Sequence, residues 1–187
     1  MIDDGDFYYL PLFQRDGYTI EKWNDVDDLP KLESGYYDLI LLDIQGVGSA
    51  QTQEQGLGIL RHLRQTSPAQ ILVAYSNADW SLKYQPFFDL ADAVLAKGTD
   101  YVDFKRTVDD LLRKKFSLGF YLDRIVNIAE AHVADTARMR TTAEKAILQR
   151  HASGLEAFLS ANHVDPEVAS TILQVAQVAI GILGLLK

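Results

Sequence analysis

The sequence predicts a doubly wound α/β domain built on a parallel sheet, followed by an all-α region. Three observations predict it. Short apolar runs recur over residues 1–115, helical patterns separate them, and no strand pattern occurs after residue 117. Residues 37–44 (YDLILLDI) and 70–75 (QILVAY) are rich in Leu, Ile and Val, with Asp43 and Ser76 at the strand ends. Such runs read as strands buried on both faces of a parallel sheet. Residues 91–96 (ADAVLA) form a third run, ending at Lys97, and residues 18–23 a weaker one.

Helices are expected between the strands. Leu57, Leu60, Leu63 and Arg64 fit one amphipathic helix after a glycine-rich stretch. Residues 26–32 form a short helix with Pro30 near its middle. Residues 82–90 are helical in part, because Pro86 opposes a long helix. Residues 104–116 place Val108, Leu111 and Leu112 on one face. Strands alternating with helices imply parallel pairing, with helices on both faces. Sites in such sheets lie at the C-terminal strand ends.

Residues 116–187 read as helical, which divides the chain into domains 1–115 and 116–187. Leu122, Ile125, Val126, Ala129 and Val133 recur at helical spacing. Asp165 and Pro166 supply an N-cap and a first helical residue for a last helix. Residues 168–186 hold no charge over 19 positions, enough for a membrane span by length. Ser170, Thr171, Gln174 and Gln177 interrupt that stretch and no aromatic belt flanks it, so a homodimer interface is the preferred reading over membrane contact.

With 48% hydrophobic and 24% charged residues the chain is globular, not disordered. The absence of cysteine excludes disulfides and thiolate metal sites. Net charge is −8; residues 1–114 hold 11 basic and 19 acidic side chains and the rest 7 of each, so no basic patch marks a nucleic-acid partner. Asp3, Asp4 and Asp6 stand where a signal peptide would be basic then apolar, which leads to an expected cytoplasmic location.

A parallel sheet brings its strand ends to one edge. Those ends carry Asp3 and Asp4, then Asp43, Ser76 and Lys97. Clustered carboxylates repel unless a cation lies among them, and a hard divalent ion suits oxygen ligands. A carboxylate facing outward can take a phosphoryl group, and a lysine and a hydroxyl can hold its oxygens. The segments IDD, YDLILLDI, ILVAYS and ADAVLAK, in that order, resemble the signature strands of a CheY-like response-regulator receiver domain. The resemblance covers about the first 115 residues. It implies a five-stranded sheet in the flavodoxin-like order 2-1-3-4-5. It implies that Asp43 accepts phosphoryl from a histidine kinase or phosphotransfer protein, that Asp3, Asp4, Asp43 and the Gln45 carbonyl hold Mg²⁺, and that Ser76 and Lys97 contact the phosphoryl group. It implies no enzyme beyond that self-modification; the output is protein–protein contact through the C-terminal helices.

The chain departs from the family in several places. Only Met1 and Ile2 precede the acidic pair, so the first strand is short, the start lies upstream, or residues 7–13 are rearranged. The loop after Asp43 is long and lacks proline. Asn77 follows the hydroxyl where alanine is common, Gly98 follows the lysine where proline is usual, and Val94 replaces the aromatic switch residue. These departures favour an alternative, a pseudo-receiver serving as a phosphorylation-independent binding module. A haloacid-dehalogenase-like phosphatase needs a second acid two residues after Asp43, where Gln45 stands. His132 lies on an expected helix but in no phosphotransfer motif.

Overall fold

The computed structural model describes residues 1–77 and 89–184. The chain forms two compact units, Met1–Leu112 and Arg113–Lys187. In the first, α1 is Leu10–Arg15, α2 Leu29–Glu33, β1 Leu39–Asp43, α3 Gly56–Thr66, β2 Ile71–Ser76, β3 Ala93–Ala96 and α4 Tyr101–Lys115. The expected helix over residues 82–90 falls largely outside the described residues.

The sheet is parallel, in the order β1-β2-β3. Asp43 stands opposite Tyr75, and Ser76 opposite Ala96. Every residue of β2 is buried, which explains its unbroken apolar composition. Among the described residues three strands form. The two further positions of the expected order are held by single parallel bridges, Ile2 to Leu42 and Ile2 to Trp23. Ile2 N–H donates to the Leu41 carbonyl at 2.8 Å, and its own carbonyl accepts from Asp43 N–H at 2.8 Å. The strand expected over residues 18–23 is thus reduced to a bridge at Trp23, because its neighbour offers little backbone to pair with.

A second correction concerns the helix expected over residues 26–32. It begins at Leu29, where Pro30 occupies the first turn and the Asp28 carboxylate accepts from Lys31 N–H at 2.9 Å. Proline is tolerated there because first-turn N–H groups have no intrahelical partner.

The sheet is covered on two faces. Ile40, Leu42 and Ile44 pack with Ile2, Leu60 and Leu63 in one core cluster. Phe7, Phe13, Tyr75 and Phe104 form an aromatic cluster with centroid separations of 5.6–6.2 Å.

Arg64 ties α3 to the start of β3. Its guanidinium donates to the carbonyls of Leu90, Pro68 and Gln70 and to the Asp92 carboxylate, at 2.8–3.1 Å. The Asp92 carboxylate in turn accepts from Leu72 N–H. Arg64→Ala is expected to cost about 2–4 kcal/mol, because it removes four hydrogen bonds made by one partly buried guanidinium. Urea denaturation measures this, and a loss below about 0.5 kcal/mol, typical of a surface site, would contradict it.

The loop from Gln45 to Gln55 is stapled to its surroundings. Gly48 N–H donates to Asp25, the Gln51 side chain to the Val26 carbonyl, and Gly46 N–H to the Gln55 side chain. Val47 is fully buried beneath it.

The second unit holds α5 Leu118–Ala129, α6 Thr136–Leu148, α7 Ser153–Ala161 and α8 Pro166–Gly184. Side chains of Ser117 and Asp135 cap α5 and α6. The Asp165 carboxylate accepts from Glu167 N–H at 2.9 Å at the start of α8. The buried face of α5 carries Leu122 and Ile125, that of α6 Met139 and Ala143, and that of α7 Leu155 and Leu159. In α8, Ile172, Val175, Ala176 and Ala179 are buried. Helix α8 is 19 residues long with mean hydropathy 1.5, long and apolar enough to cross a membrane by those measures. Ser170, Gln174 and Gln177 lie on its exposed side.

Candidate functional site

The C-terminal edge of the sheet gathers the chemistry. Asp43 ends β1, and burial of β1 leaves it only 3% exposed. Asp3 follows the Ile2 bridge and is 1% exposed, while Asp4 is exposed. Carboxylate oxygens of Asp3, Asp4 and Asp43 lie within 4.8 Å of one another. Lys97 follows β3, fixed by its N–H donating to the Ser76 carbonyl at 2.6 Å. Its ammonium bridges Asp43 Oδ2 at 2.7 Å and Asp3 Oδ1 at 3.1 Å.

Main-chain donors complete the carboxylate shell. Gly5 N–H donates to Asp3 Oδ1 at 2.9 Å, and Gln45 N–H to Asp43 Oδ1 at 3.1 Å. Gln45 therefore meets Asp43 through its amide nitrogen. Ser76 is buried, and its hydroxyl donates to the Asn77 carbonyl at 3.2 Å, not to a carboxylate. The sheet thus unites Asp3, Asp4, Asp43 and Lys97, and places Ser76 on the adjoining strand end. Sequence reasoning missed Lys22, whose ammonium donates to the Asp3 carbonyl at 3.0 Å and to Asn24 Oδ1 at 2.8 Å. It also missed Gly46. That residue has φ +83°, and a Cβ there would collide with the Asp4 carboxylate.

Burial pushes the Asp43 carboxyl above its ordinary value. Lys97 and Gln45 N–H oppose that rise, and the Asp3 charge adds to it. Lys97 loses some proton affinity to burial, but Asp43 and Asp3 outweigh this and raise it. One ammonium between two of three carboxylates leaves the cluster short of positive charge. The donor set is all oxygen. Both properties fit a hard divalent cation such as Mg²⁺.

A pH dependence follows. Because the folded-state value of Asp43 lies above its unfolded value, its contribution favours folding below the unfolded value. That contribution is lost as pH rises through the folded one. A bound cation reverses the preference by selecting the ionised form. Mg²⁺ affinity, measured by calorimetry, is expected to fall as pH is lowered through the raised Asp43 value. A flat profile would show that Asp43 takes no part.

No protein-family model and no curated protein matches this sequence. Among solved structures, the receiver domain of NtrX from Brucella abortus superposes with a TM-score of 0.51 at 19% identity, over 60% of this chain and 95% of that one. The fold is that of a receiver domain. A CheY-like response regulator receiver domain protein from Methanospirillum hungatei JF-1 matches with a TM-score of 0.49 at 21% identity, over 61% of this chain and 91% of that one.

Proposed function

We propose that this protein is a two-component signalling protein whose receiver-like domain, residues 1–115, is phosphorylated on Asp43 and relays the change by protein–protein contact through helices of residues 116–187. The observation that carries this reading is Lys97, whose ammonium bridges two buried carboxylates at the end of three parallel strands. Asp3, Asp4 and Asp43 would hold Mg²⁺, with the Gln45 carbonyl as a further ligand. The bound ion would supply positive charge to the phosphoryl oxygens.

The residues of the chain do the rest. An oxygen of the Asp43 carboxylate attacks phosphorus in a phosphohistidine of a kinase or phosphotransfer protein. The P–N bond breaks, and the imidazole keeps the electron pair and takes a proton from solvent. Lys97 exchanges its bond to the Asp43 carboxylate for one to a phosphoryl oxygen, as a charge-assisted contact. Ser76 turns its hydroxyl from the Asn77 carbonyl towards the new group. The added charge biases two states of the neighbouring loops, which are read by homodimer contacts of the C-terminal helices. The setting would be cytoplasmic.

Acetyl phosphate and Mg²⁺ test this directly. Intact-mass measurement should show one phosphoryl group, and beryllofluoride should change the oligomeric state. Absence of both in the wild-type protein would refute the reading. A pseudo-receiver that acts only as a binding module is the second reading. It is favoured by the outward-facing Val94, 46% exposed, and by the Ser76 hydroxyl bonded away from the acid cluster. Partner capture that is indifferent to Asp43→Asn would support it.

A further inference from the structure

Helix α8 packs against α5, α6 and α7, and Ile172, Val175, Ala176 and Ala179 take up that contact. Only 22% of its apolar stretch is buried, and no residue from 168 to 184 carries a charge. A helix that faces water carries charge on its outer side; α8 carries none there. That outer side has an order of its own. Ser170, Gln174, Gln177 and Gly181 are exposed and share one face. Leu173 and Ile180, both half-buried, border them on one side, and Val178 and Ile182 on the other.

The intervals along that face are four, three and four residues, the same in either direction. A second copy laid antiparallel therefore meets it in register. Ser170 faces Gly181, and Gln174 stands by Gln177, about a two-fold axis between Val175 and Ala176. A Cβ on Gly181 would meet nothing within 4 Å, so that position is open to a neighbour. Small residues at such a contact let two helices approach to about 8 Å. The ends of the helix decide the direction. Its N-terminal end carries Asp165 and Glu167, both exposed. At its C-terminal end the Arg150 guanidinium donates to the Gly184 carbonyl at 3.3 Å. In the antiparallel register Glu167 falls opposite Gly184, so acid meets guanidinium at both ends and the helix dipoles oppose. A parallel pair would bring Asp165 and Glu167 against their own copies. A bilayer would have to take Ser170, Gln174 and Gln177 into hydrocarbon.

We propose that α8 pairs antiparallel with α8 of a second copy of this chain, across Ser170, Gln174, Gln177 and Gly181. The pairing specifies the homodimer contact of the proposed function, on which it rests, and needs no phosphoryl group on Asp43.

The chain has no cysteine, so introduced cysteines report the geometry. In the full-length protein, Ser170→Cys incubated with Gly181→Cys should oxidise to a disulfide-linked dimer, and either variant alone should not. Like positions stand about 16 Å apart in this register, beyond the roughly 7 Å between Cα atoms that a disulfide spans. Sedimentation of the wild type should show a dimer. Gly181→Arg should raise its dissociation constant about tenfold or more, with helix content by circular dichroism unchanged. Each measurement is made with and without Mg²⁺ and beryllofluoride. Absence of the mixed disulfide in both states, or disulfides in the single variants, would overturn the proposal. So would a monomer that sediments with phosphatidylcholine vesicles, which would assign the face to a membrane. A protein that takes phosphoryl from acetyl phosphate yet stays monomeric would overturn this pairing alone. The mixed disulfide in a protein that takes none would support the pairing and remove only the phosphorylation reading.

Discussion

Asp43→Asn is expected to abolish phosphoryl incorporation from acetyl phosphate completely, because an amide oxygen cannot form the acyl phosphate. The same substitution should raise the thermal midpoint in metal-free buffer at pH 7. Burial and the neighbouring Asp3 make the ionised Asp43 costly, and Asn removes the charge with little change of shape. Lys97 keeps its bond to Asp3, so it is not stranded. Mg²⁺ should reverse the order, stabilising the wild type more than the variant. Calorimetric scans with and without Mg²⁺ would show this. A variant less stable than wild type without metal would mean that the Lys97–Asp43 pair, not desolvation, governs the site.

The second large effect is structural and reaches the same residue. Helix α3 begins against the end of β1, and a Cβ on Gly56 would collide with the Asp43 carbonyl oxygen and lie 2.8 Å from Ile44 Cα. Neither backbone atom can rotate away. Gly56→Ala should therefore cost about 3 kcal/mol or more. It should also weaken Mg²⁺ binding by displacing Asp43. Gly154→Ala provides the contrast, since nothing lies within 4 Å of a Cβ at that helical position. It should gain about 0.5–1 kcal/mol from helix propensity alone. Urea denaturation of the two variants tests both signs, and similar effects at the two sites would show that the α3–β1 contact is not tight.

Much of the acid edge was legible in the chain because parallel strands carry their own signature. YDLILLDI and ILVAYS are apolar without alternation, and the residue ending each run lies at one edge by topology alone. Asp43 and Lys97 followed from that. Lys22 did not, because its contact with the Asp3 carbonyl depends on how residues 17–24 bend, which no local pattern fixes. The strand expected over residues 18–23 failed for a related reason. Its Ile20 and Trp23 suit a strand, yet pairing depends on the length of the neighbour, and Ile2 alone supplies that. Pro30 was placed in mid-helix because apolar spacing extends back to Val26, while the Asp28 cap decides where the helix starts. For Ser76, composition identified the residue but not its rotamer. The hydroxyl direction is set by the Asn77 carbonyl, a contact between neighbours that sequence patterns do not encode.

The stapled loop after Asp43 has a consequence for how the molecule is degraded. Long polar loops are where nicking concentrates, because a protease must draw out several residues of chain to cleave them. Here Val47 is an inward anchor, and Gly48 and Gln51 are moored to Asp25 and Val26. Unspooling that stretch would mean breaking those moorings and exposing the anchor together. Susceptibility to cleavage is thereby linked to the integrity of the fold rather than to loop length. The lip of the acid pocket should last as long as the domain beneath it.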